Sequence, residues 1–341
     1  MSAFDKLLRE LEARPRSWLV TGAAGFIGSN LVERLLASGQ LVVGLDNFAT
    51  GRERNIEEVL GRLGPTAHER FRLIRGDIRD LDTCRDACRN TDVVLHQAAL
   101  GSVPRSIAEP LLVHQCNVDG FLNLLSAAKE AGVRRFVYAS SSSVYGDSPT
   151  LPKVEQVIGK ALSPYAWTKQ IGEGWADIFG RVYGLPHVGL RYFNVFGPRQ
   201  DPEGPYAAVI PLWFRTLLRG ERPRNFGDGE TSRDFCYVAN VVQANLLAAC
   251  TEEPDALGLV FNVGCGGRTT LNELFGRIRD EVAKVRPASA AVQPAYADFR
   301  AGDVRHSLAD ISRARRLLHY EPTHDVRAGL QEASAWYVAN S

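Results

Sequence analysis

The chain has 341 residues, 45% of them hydrophobic and 23% charged, with 40 lysines and arginines against 39 aspartates and glutamates. That balance excludes nucleic acid or an anionic membrane as the principal partner, so an anionic ligand has to be met locally, by a few placed arginines or backbone amides. The length suits one large domain joined to a smaller one, and the six cysteines, with no C-x-x-C pair among them, read as reduced core thiols with no metal site or disulfide framework.

The opening stretch, MSAFDKLLRELEARPRS, is too charged for a signal peptide. Leu7, Leu8 and Leu11 stand at helical spacing and predict a short helix packed on the body before Pro15. No apolar run approaches the roughly 18 residues that a bilayer span requires, and a cytoplasmic location is expected. From Trp18 onward, short apolar runs alternate with helix-period segments: WLVTG, GSNLVERLLASG, LVVGLD, then RFRLIRGD, DVVLHQAA and RFVYASS. Such alternation predicts βαβ units and a parallel sheet. A helix is predicted around Trp167 to Tyr183, and the strand-like run HVGLRYFNVFG follows it. The region from Pro198 to Gly229, rich in Gly, Pro and Arg, breaks the regularity and reads as part of a smaller lobe. Val260 to Gly264 reads as a strand returning to the sheet, with a last helical lobe behind it. The expected fold is α/β, a Rossmann-like doubly wound parallel sheet over 1–190 with a returning segment at about 235–264. A smaller, mostly C-terminal α+β substrate domain is expected from 191–234 and 265–341.

The first strand runs into TGAAGFIGSN, with glycines at 22, 25 and 28 ahead of a helix. Glycines in such a turn let the backbone approach a pyrophosphate, whose charge then sits on the free N–H groups of the helix start. Asp46 ends the next strand, eighteen residues past Gly28, where a carboxylate accepts both hydroxyls of an adenosine ribose and repels a 2′-phosphate. NAD is therefore expected over NADP, with Arg52 and Arg54 as the nearby residues that could blur the choice. Asp77, in RGDIRD, is placed either at the adenine edge with Ile78 or as a helix cap.

In SPYAWTKQ, Tyr165 and Lys169 stand four positions apart, so on a helix they share a face. An ammonium near a phenol lowers a pKa that starts at about 10 and lets the tyrosine act as a base; the lysine can also hold a nicotinamide ribose. By itself Y-x-x-x-K is equally a piece of amphipathic helix. Upstream, YASSSSVYG offers the hydroxyls of Ser140 to Ser143 at the carboxyl end of a strand, where α/β sheets bind ligands.

Together, TGAAGFIG, the Asp46 strand end, HQAA at 96 to 99, the serine run and Y-x-x-x-K resemble the extended short-chain dehydrogenase/reductase superfamily along nearly the whole chain. Within it, LDNFATG, HQAALGSVPRSI, SSSVYGD, SPYAWTK, LRYFNVFGPRQDP, GDGETSRDF and FRAGDVRHSLAD resemble the UDP-hexose 4-epimerases, nearest to the branch acting on UDP-N-acetylglucosamine and UDP-N-acetylgalactosamine. The resemblance implies a redox epimerisation. Tyr165 takes the proton of the sugar 4-hydroxyl while the C4 hydride passes to tightly held NAD. The 4-keto sugar turns over within the site, and the hydride returns to its other face. Ser141 matches the family's catalytic serine, with Ser142 and Ser143 as close alternates and sugar contacts. The cofactor positions it implies are Gly22, Gly25, Phe26, Ile27, Gly28, Asp46, Asn47, Thr50, Gly51, Asp77, Ile78, Gln97, Ala98, Ala99, Tyr165, Lys169 and Tyr192. For the UDP moiety they are Asn194, Arg233, Arg300 and Asp303, with Ala208 and Val209 near the uracil. Gly101, Ser102 and Val103 are implied at the acetamido end, where the alternative is an ordinary strand-to-helix connection. Ser307 matches the site where a tyrosine restricts the family to plain hexoses and a small residue leaves room for a 2-acetamido group. No metal is implied.

A 4,6-dehydratase shares the NAD turn and the couple but carries T-D-E where this chain has Ser141 to Ser143. A UDP-glucuronate 4-epimerase or decarboxylase needs extra positive charge, for which Arg105 is the candidate. A non-catalytic sensor of NAD or nucleotide sugar tends to lose the tyrosine or lysine, and this chain keeps both. A homodimer is implied through helices around 106 to 130 and 165 to 183, where Leu122, Leu125, Ile171 and Trp175 are apolar and equally suited to an internal core.

Overall fold

Seven short runs of aliphatic and aromatic residues form one parallel sheet. They are β1 (Ser17–Thr21), β2 (Leu41–Asp46), β3 (Phe71–Arg75), β4 (Val93–His96), β5 (Arg135–Ser141), β6 (His187–Tyr192) and β7 (Val260–Val263). The structure, a computed structural model, describes residues 1–203, 207–299 and 304–340. The strand order is β7-β6-β5-β4-β1-β2-β3, with every neighbouring pair parallel. β4 and β6 are buried along their whole length, as expected of strands covered by helices on both faces. The order reverses direction between β1 and β4, so a crevice opens at the carboxyl ends of these two strands. This is the Rossmann-like doubly wound sheet expected from the alternating pattern.

The helices that matter below are α1 (Ala3–Ala13), α2 (Phe26–Ala37), α3 (Glu53–Leu63), α4 (Leu81–Cys88), α5 (Gly120–Glu130), α6 (Pro164–Tyr183), α7 (Val209–Leu218), α8 (Val238–Cys250), α9 (Leu271–Ala283) and α10 (Val326–Ala339). α1 buries Leu7 and Leu11 against the sheet's first core cluster, with Leu8 half-buried beside them. A capping box between Ser2 and Asp5 starts it. α6 is started by Ser163, whose hydroxyl accepts the Ala166 N–H, and by Pro164 in its first turn; Gly184, at φ +69°, ends it.

Two apolar clusters flank the sheet, and a third is built away from it by Trp213, Phe214 and Leu217 of α7, Leu274 and Ile278 of α9, and Leu330 and Tyr337 of α10. Ala309, Ile311, Leu317, Leu318 and Tyr320, late in the chain, pack into the sheet's own cluster instead. The stretch read as irregular between Pro198 and Gly229 contains α7, whose Ile210, Trp213, Phe214 and Leu217 face inward at helical spacing. The segment around 106 to 130 is not one helix. It runs as Val103–Ala108, Pro110–His114, a π turn at Gln115–Asp119 and then α5, and Leu125 is fully buried inside the chain. All six cysteines carry free thiols, with Cys84, Cys88 and Cys236 buried. Among the described residues no helix is long and apolar enough to cross a membrane.

Candidate active site

At the end of β1 the chain turns through Gly22, whose φ is +65° and whose N–H donates to the Leu45 carbonyl at 2.8 Å. A methyl group on Gly28 would lie 2.0 Å from the Gly22 oxygen, and one on Gly22 would lie 2.9 Å from the Ala98 nitrogen. The turn closes only because neither residue has a side chain. Gly25 stands in the cap position of α2, and among the described residues no side chain caps the first amides of that helix. Those N–H groups and the positive end of the helix meet a cavity of about 320 Å³ lined by Gly22, Gly25, Phe26, Ile27 and Gly28.

Asp46, Asn47 and Thr50 form the next wall, Asp77 and Ile78 another, and Gln97, Ala98, Ala99 and Gly101 the floor toward β4. Asp46 is buried, which pushes its carboxyl above the usual range, opposed by the N–H groups of Phe48 at 2.7 Å and Ala24 at 2.8 Å. Each carboxylate oxygen keeps acceptor capacity for a ribose hydroxyl. Gly51 backs this group: a methyl there would lie 2.9 Å from both oxygens. Arg52 is drawn onto Asp201 at 2.6 Å, so it does not compensate Asp46, and the wall favours a 2′-hydroxyl over a 2′-phosphate. Asp77 is held at about 2, chiefly by the Arg79 side chain, and also accepts from Asn47 at 2.8 Å. The cap role weighed for it belongs to Asp80, whose carboxylate accepts the Asp82 and Thr83 N–H groups at the start of α4. Tyr192 donates to Gln97 at 3.0 Å and receives the Asn245 amide at 2.8 Å. A glycine cradle too tight for any methyl, an uncapped helix start and an acid at the second strand end fit a dinucleotide.

Tyr165 lies in the first turn of α6 and Lys169 one turn later. The Tyr165 phenol lies near the side chain of Ser141 at the end of β5, which acts to lower its pKa, and the Lys169 ammonium donates to the Ala139 carbonyl at 2.8 Å. Of the serine run, Ser141 is the member that acts on the phenol's pKa. Its hydroxyl also accepts the Ser143 N–H at 3.1 Å, whereas Ser143 Oγ is buried with no hydrogen-bond partner among the described residues, and Ser142 opens the following 3₁₀ turn. One expectation is corrected here. The phenol is not acidified: burial raises its pKa, and the nearby Ser141 side chain only partly offsets this. Lys169 Nζ stands 6.0 Å from the ring centroid, turned to Ala139, and burial pushes the ammonium itself down to about 8. Desolvation outweighs the charge of the neighbour.

Toward the third apolar cluster, Asn194 donates to the Asp234 carbonyl at 3.1 Å, with φ +34°. Arg233 reaches the Ser232 and Arg305 carbonyls at 3.0 and 3.2 Å. The Ser307 N–H donates to Ser232 at 3.1 Å, so Arg233 and Ser307 are adjacent through one backbone residue. Ala208 and Val209 start α7; Arg300 and Asp303 lie outside the described residues. Ser102, at φ +92°, caps the Val103–Ala108 helix by accepting the Arg105 N–H, and Gly101 before it lines the cavity.

Two residues with no motif of their own complete the site. Asn245 of α8 joins Gln97 to Tyr192. Asn117, presented by the π turn, accepts the Leu100 N–H at 2.8 Å and donates to Leu100 and to Thr168 of α6 at 3.0 and 3.2 Å. It ties the loop after β4 to the helix of the couple, a use to which π turns are often put.

Residues 18–264 match the model of the NAD dependent epimerase/dehydratase family. The chain belongs to that family. Its cofactor is accordingly NAD, in agreement with the cavity. This family member is 38% identical over 321 residues to the UDP-glucose 4-epimerase of Mycolicibacterium smegmatis, a match covering 94% of this chain and 97% of that one. Among solved structures it is similar to the UDP-N-acetylglucosamine 4-epimerase of Methanobrevibacter ruminantium in complex with UDP-N-acetylmuramic acid. That similarity has a TM-score of 0.86 and 38% identity, covering 96% of this chain and all of that one. It is also similar to UDP-glucuronic acid 4-epimerase of Bacillus cereus, solved as a variant with NAD and a 4-deoxy-4-fluoro substrate analogue, with a TM-score of 0.84, 30% identity, and coverage of 95% and 100%.

Proposed function

We propose that the protein is a UDP-hexose 4-epimerase that interconverts UDP-N-acetylglucosamine and UDP-N-acetylgalactosamine, with UDP-glucose and UDP-galactose as a second pair. The observation that carries this reading is the placement of Tyr165 and Lys169, one turn apart on α6, against Ser141 and Ala139 at the end of β5, with α6 tied through Thr168 and Asn117 to Leu100 in the wall of the glycine-lined cavity. Oxidised NAD, held by Gly22 to Gly28 and Asp46, would supply a hydride acceptor that later returns the hydride, and a positive ring charge. The residues of the chain supply the rest. Tyr165 takes and returns the proton of the sugar 4-hydroxyl, Ser141 holds that oxygen and relays the proton, and Lys169 keeps positive charge near the phenol. The raised phenol pKa leaves Tyr165 protonated in the chain alone, and the positive ring of NAD, when bound, would add to Lys169 in favouring the phenolate.

Arg233, Arg300, Asp303 and Asn194 are assigned to the UDP moiety, with Ala208 and Val209 near the uracil. Residues 1–190 and about 235–264 are assigned to NAD, and 191–234 with 265–341 to the sugar nucleotide. Strong contacts to the constant UDP and few to the hexose allow the keto sugar to turn over. Ser307, a small residue one backbone contact from Arg233, supports room for a 2-acetamido group, as does the N-acetylated ligand of the M. ruminantium structure. Incubation of purified protein with UDP-N-acetylglucosamine and no added cofactor should yield UDP-N-acetylgalactosamine; nucleotide bound without product would favour a sensor. In the same assay Ser307→Tyr should reduce turnover of N-acetylated sugars by about tenfold or more relative to UDP-glucose, and equal losses on both would refute the gatekeeper. The B. cereus relative raises one competing reading, a UDP-glucuronate 4-epimerase using Arg105; faster turnover of UDP-glucuronate would establish it.

A homodimer through α6 is part of the proposal. Trp167, Ile178 and Val182 are 57%, 39% and 63% exposed and lie with Ile171 and Gly174 on one stripe of the helix; Leu111, on the short Pro110–His114 helix that packs on α6, is 79% exposed. Light scattering should give twice the chain mass, and Trp167→Glu with Val182→Glu should halve it; a wild type of single-chain mass would overturn the assignment.

A further inference from the structure

Three consecutive residues at the end of β5 each meet one residue of α6. The Ala139 carbonyl accepts from Lys169, the Ser141 side chain lies near the Tyr165 phenol, and between them the Ser140 hydroxyl donates to a carboxylate oxygen of Glu173. Tyr165, Lys169 and Glu173 follow at four-residue steps along one helix face, so strand end and helix meet as a ladder of three rungs. Two rungs belong to the proposed chemistry and the third does not.

The third rung is buried and over-determined. Ser140 is 3% exposed. Arg191 of β6, also 3% exposed, grips the same carboxylate with Nε at 2.9 Å and Nη2 at 2.7 Å. Its remaining nitrogen donates to the Glu155 carbonyl at 2.9 Å, and its guanidinium lies 5.0 Å from the centre of the Tyr145 ring. A buried ion pair of this kind adds little net stability compared with an apolar replacement, but its bidentate geometry fixes position.

Building on the reading of Tyr165 and Lys169 as the reacting couple, we propose that Glu173, locked by Ser140 and Arg191, is a positioning residue that sets α6 against β5 and supplies the counter-charge that keeps Lys169 an ammonium. The groups around Lys169 offer no substitute for it. His96 on β4 is kept neutral by burial, which lowers its pKa to about 3. Tyr138 on β5 is pushed well up by burial, Tyr145 is pushed to about 12, and Tyr165 is raised as well, so all three phenols are neutral. Glu155 lies behind Arg191, accepting the Asn262 N–H and facing Arg313, and Asp177, a further turn along α6, is paired with Arg181. Against the burial that pushes Lys169 down to about 8, Glu173 is the opposing influence. Removing its charge makes the ammonium harder to hold and leaves Arg191 as a second, uncompensated buried cation, which acts in the same direction.

The test compares the holoenzyme of the wild type, Glu173→Gln, Ser140→Ala and Tyr165→Phe by the pH dependence of kcat, KM and the thermal midpoint, with UDP-N-acetylglucosamine and UDP-glucose as substrates. Glu173→Gln should lose on the order of tenfold or more in kcat with a smaller change in KM, and its alkaline limb should move acidward by roughly one pH unit. Ser140→Ala, which removes the rung but no charge, should lower kcat several-fold and leave the limb in place. A limb for Glu173→Gln that coincides with wild type overturns the proposal, as does a loss equal at every pH. If Glu173→Gln does not fold, an unchanged kcat in Ser140→Ala overturns it instead. An inactive wild type or a fully active Tyr165→Phe overturns the reading of the couple, and this inference with it.

Discussion

Replacing Tyr165 with phenylalanine is expected to lower UDP-sugar turnover by about three orders of magnitude while NAD content and thermal midpoint stay close to wild type. The substitution removes one oxygen and keeps the ring that packs at the start of α6. The neighbouring Ser141 hydroxyl keeps the Ser143 N–H, so the stability cost should not exceed about 1 kcal/mol. No neighbour can take over the proton. The Lys169 ammonium is committed to the Ala139 carbonyl, a serine hydroxyl is too weak a base, and His96, the one imidazole close enough to feel Lys169, is buried with its Nδ1 bonded to Thr21 at 2.7 Å. Product formation measured over hours by chromatography, with calorimetry and cofactor extraction on the same sample, checks the claim. A variant that still interconverts the sugars at a tenth of the wild-type rate would remove the phenol from the mechanism.

The sheet was legible because burial on both faces leaves each central strand as a continuous apolar run, and because the glycines at 22, 25 and 28 leave no other way to join β1 to α2. Both are local effects, carried by adjacent residues. The same holds for the serine run and for Y-x-x-x-K, whose members are close in sequence. α7 was missed although Ile210, Trp213, Phe214 and Leu217 carry a helical period, because the glycines, prolines and arginines around them dominate the composition of that stretch. The break near Ala108 and the π turn depend on what Asn117 meets, Leu100 and Thr168, and no window of sequence brings those together. The acidity of the phenol was misjudged for a related reason. A lysine four residues away was visible, but the desolvation of both groups and the diversion of the ammonium to Ala139 are properties of the packed site. Glu173, likewise, has a role only because Ser140 and Arg191, from two different strands, converge on it.

Gly28→Ala tests the other half of the site, the cradle. The added methyl would stand 2.0 Å from the Gly22 oxygen and 2.7 Å from its carbonyl carbon, both backbone atoms that cannot rotate away, and Gly22 cannot retreat because its own Cβ position is closed off by Ala98. The φ of Gly28 is not in the left-handed region, so the penalty comes from space alone. The start of α2 must therefore move away from β1, carrying with it the free amides of Phe26 and Ile27 that face the cavity. Overpacking of this kind destabilises by about 1–3 kcal/mol, and the displaced helix start should release the cofactor. The variant is expected to purify without NAD and without activity, with a lowered midpoint. Gly61→Ala in α3 is the matched control. Its methyl meets nothing within 4 Å, so helix propensity should stabilise the protein by up to about 1 kcal/mol and leave NAD in place. Stoichiometric NAD in purified Gly28→Ala would mean that the pyrophosphate is held elsewhere than at the start of α2.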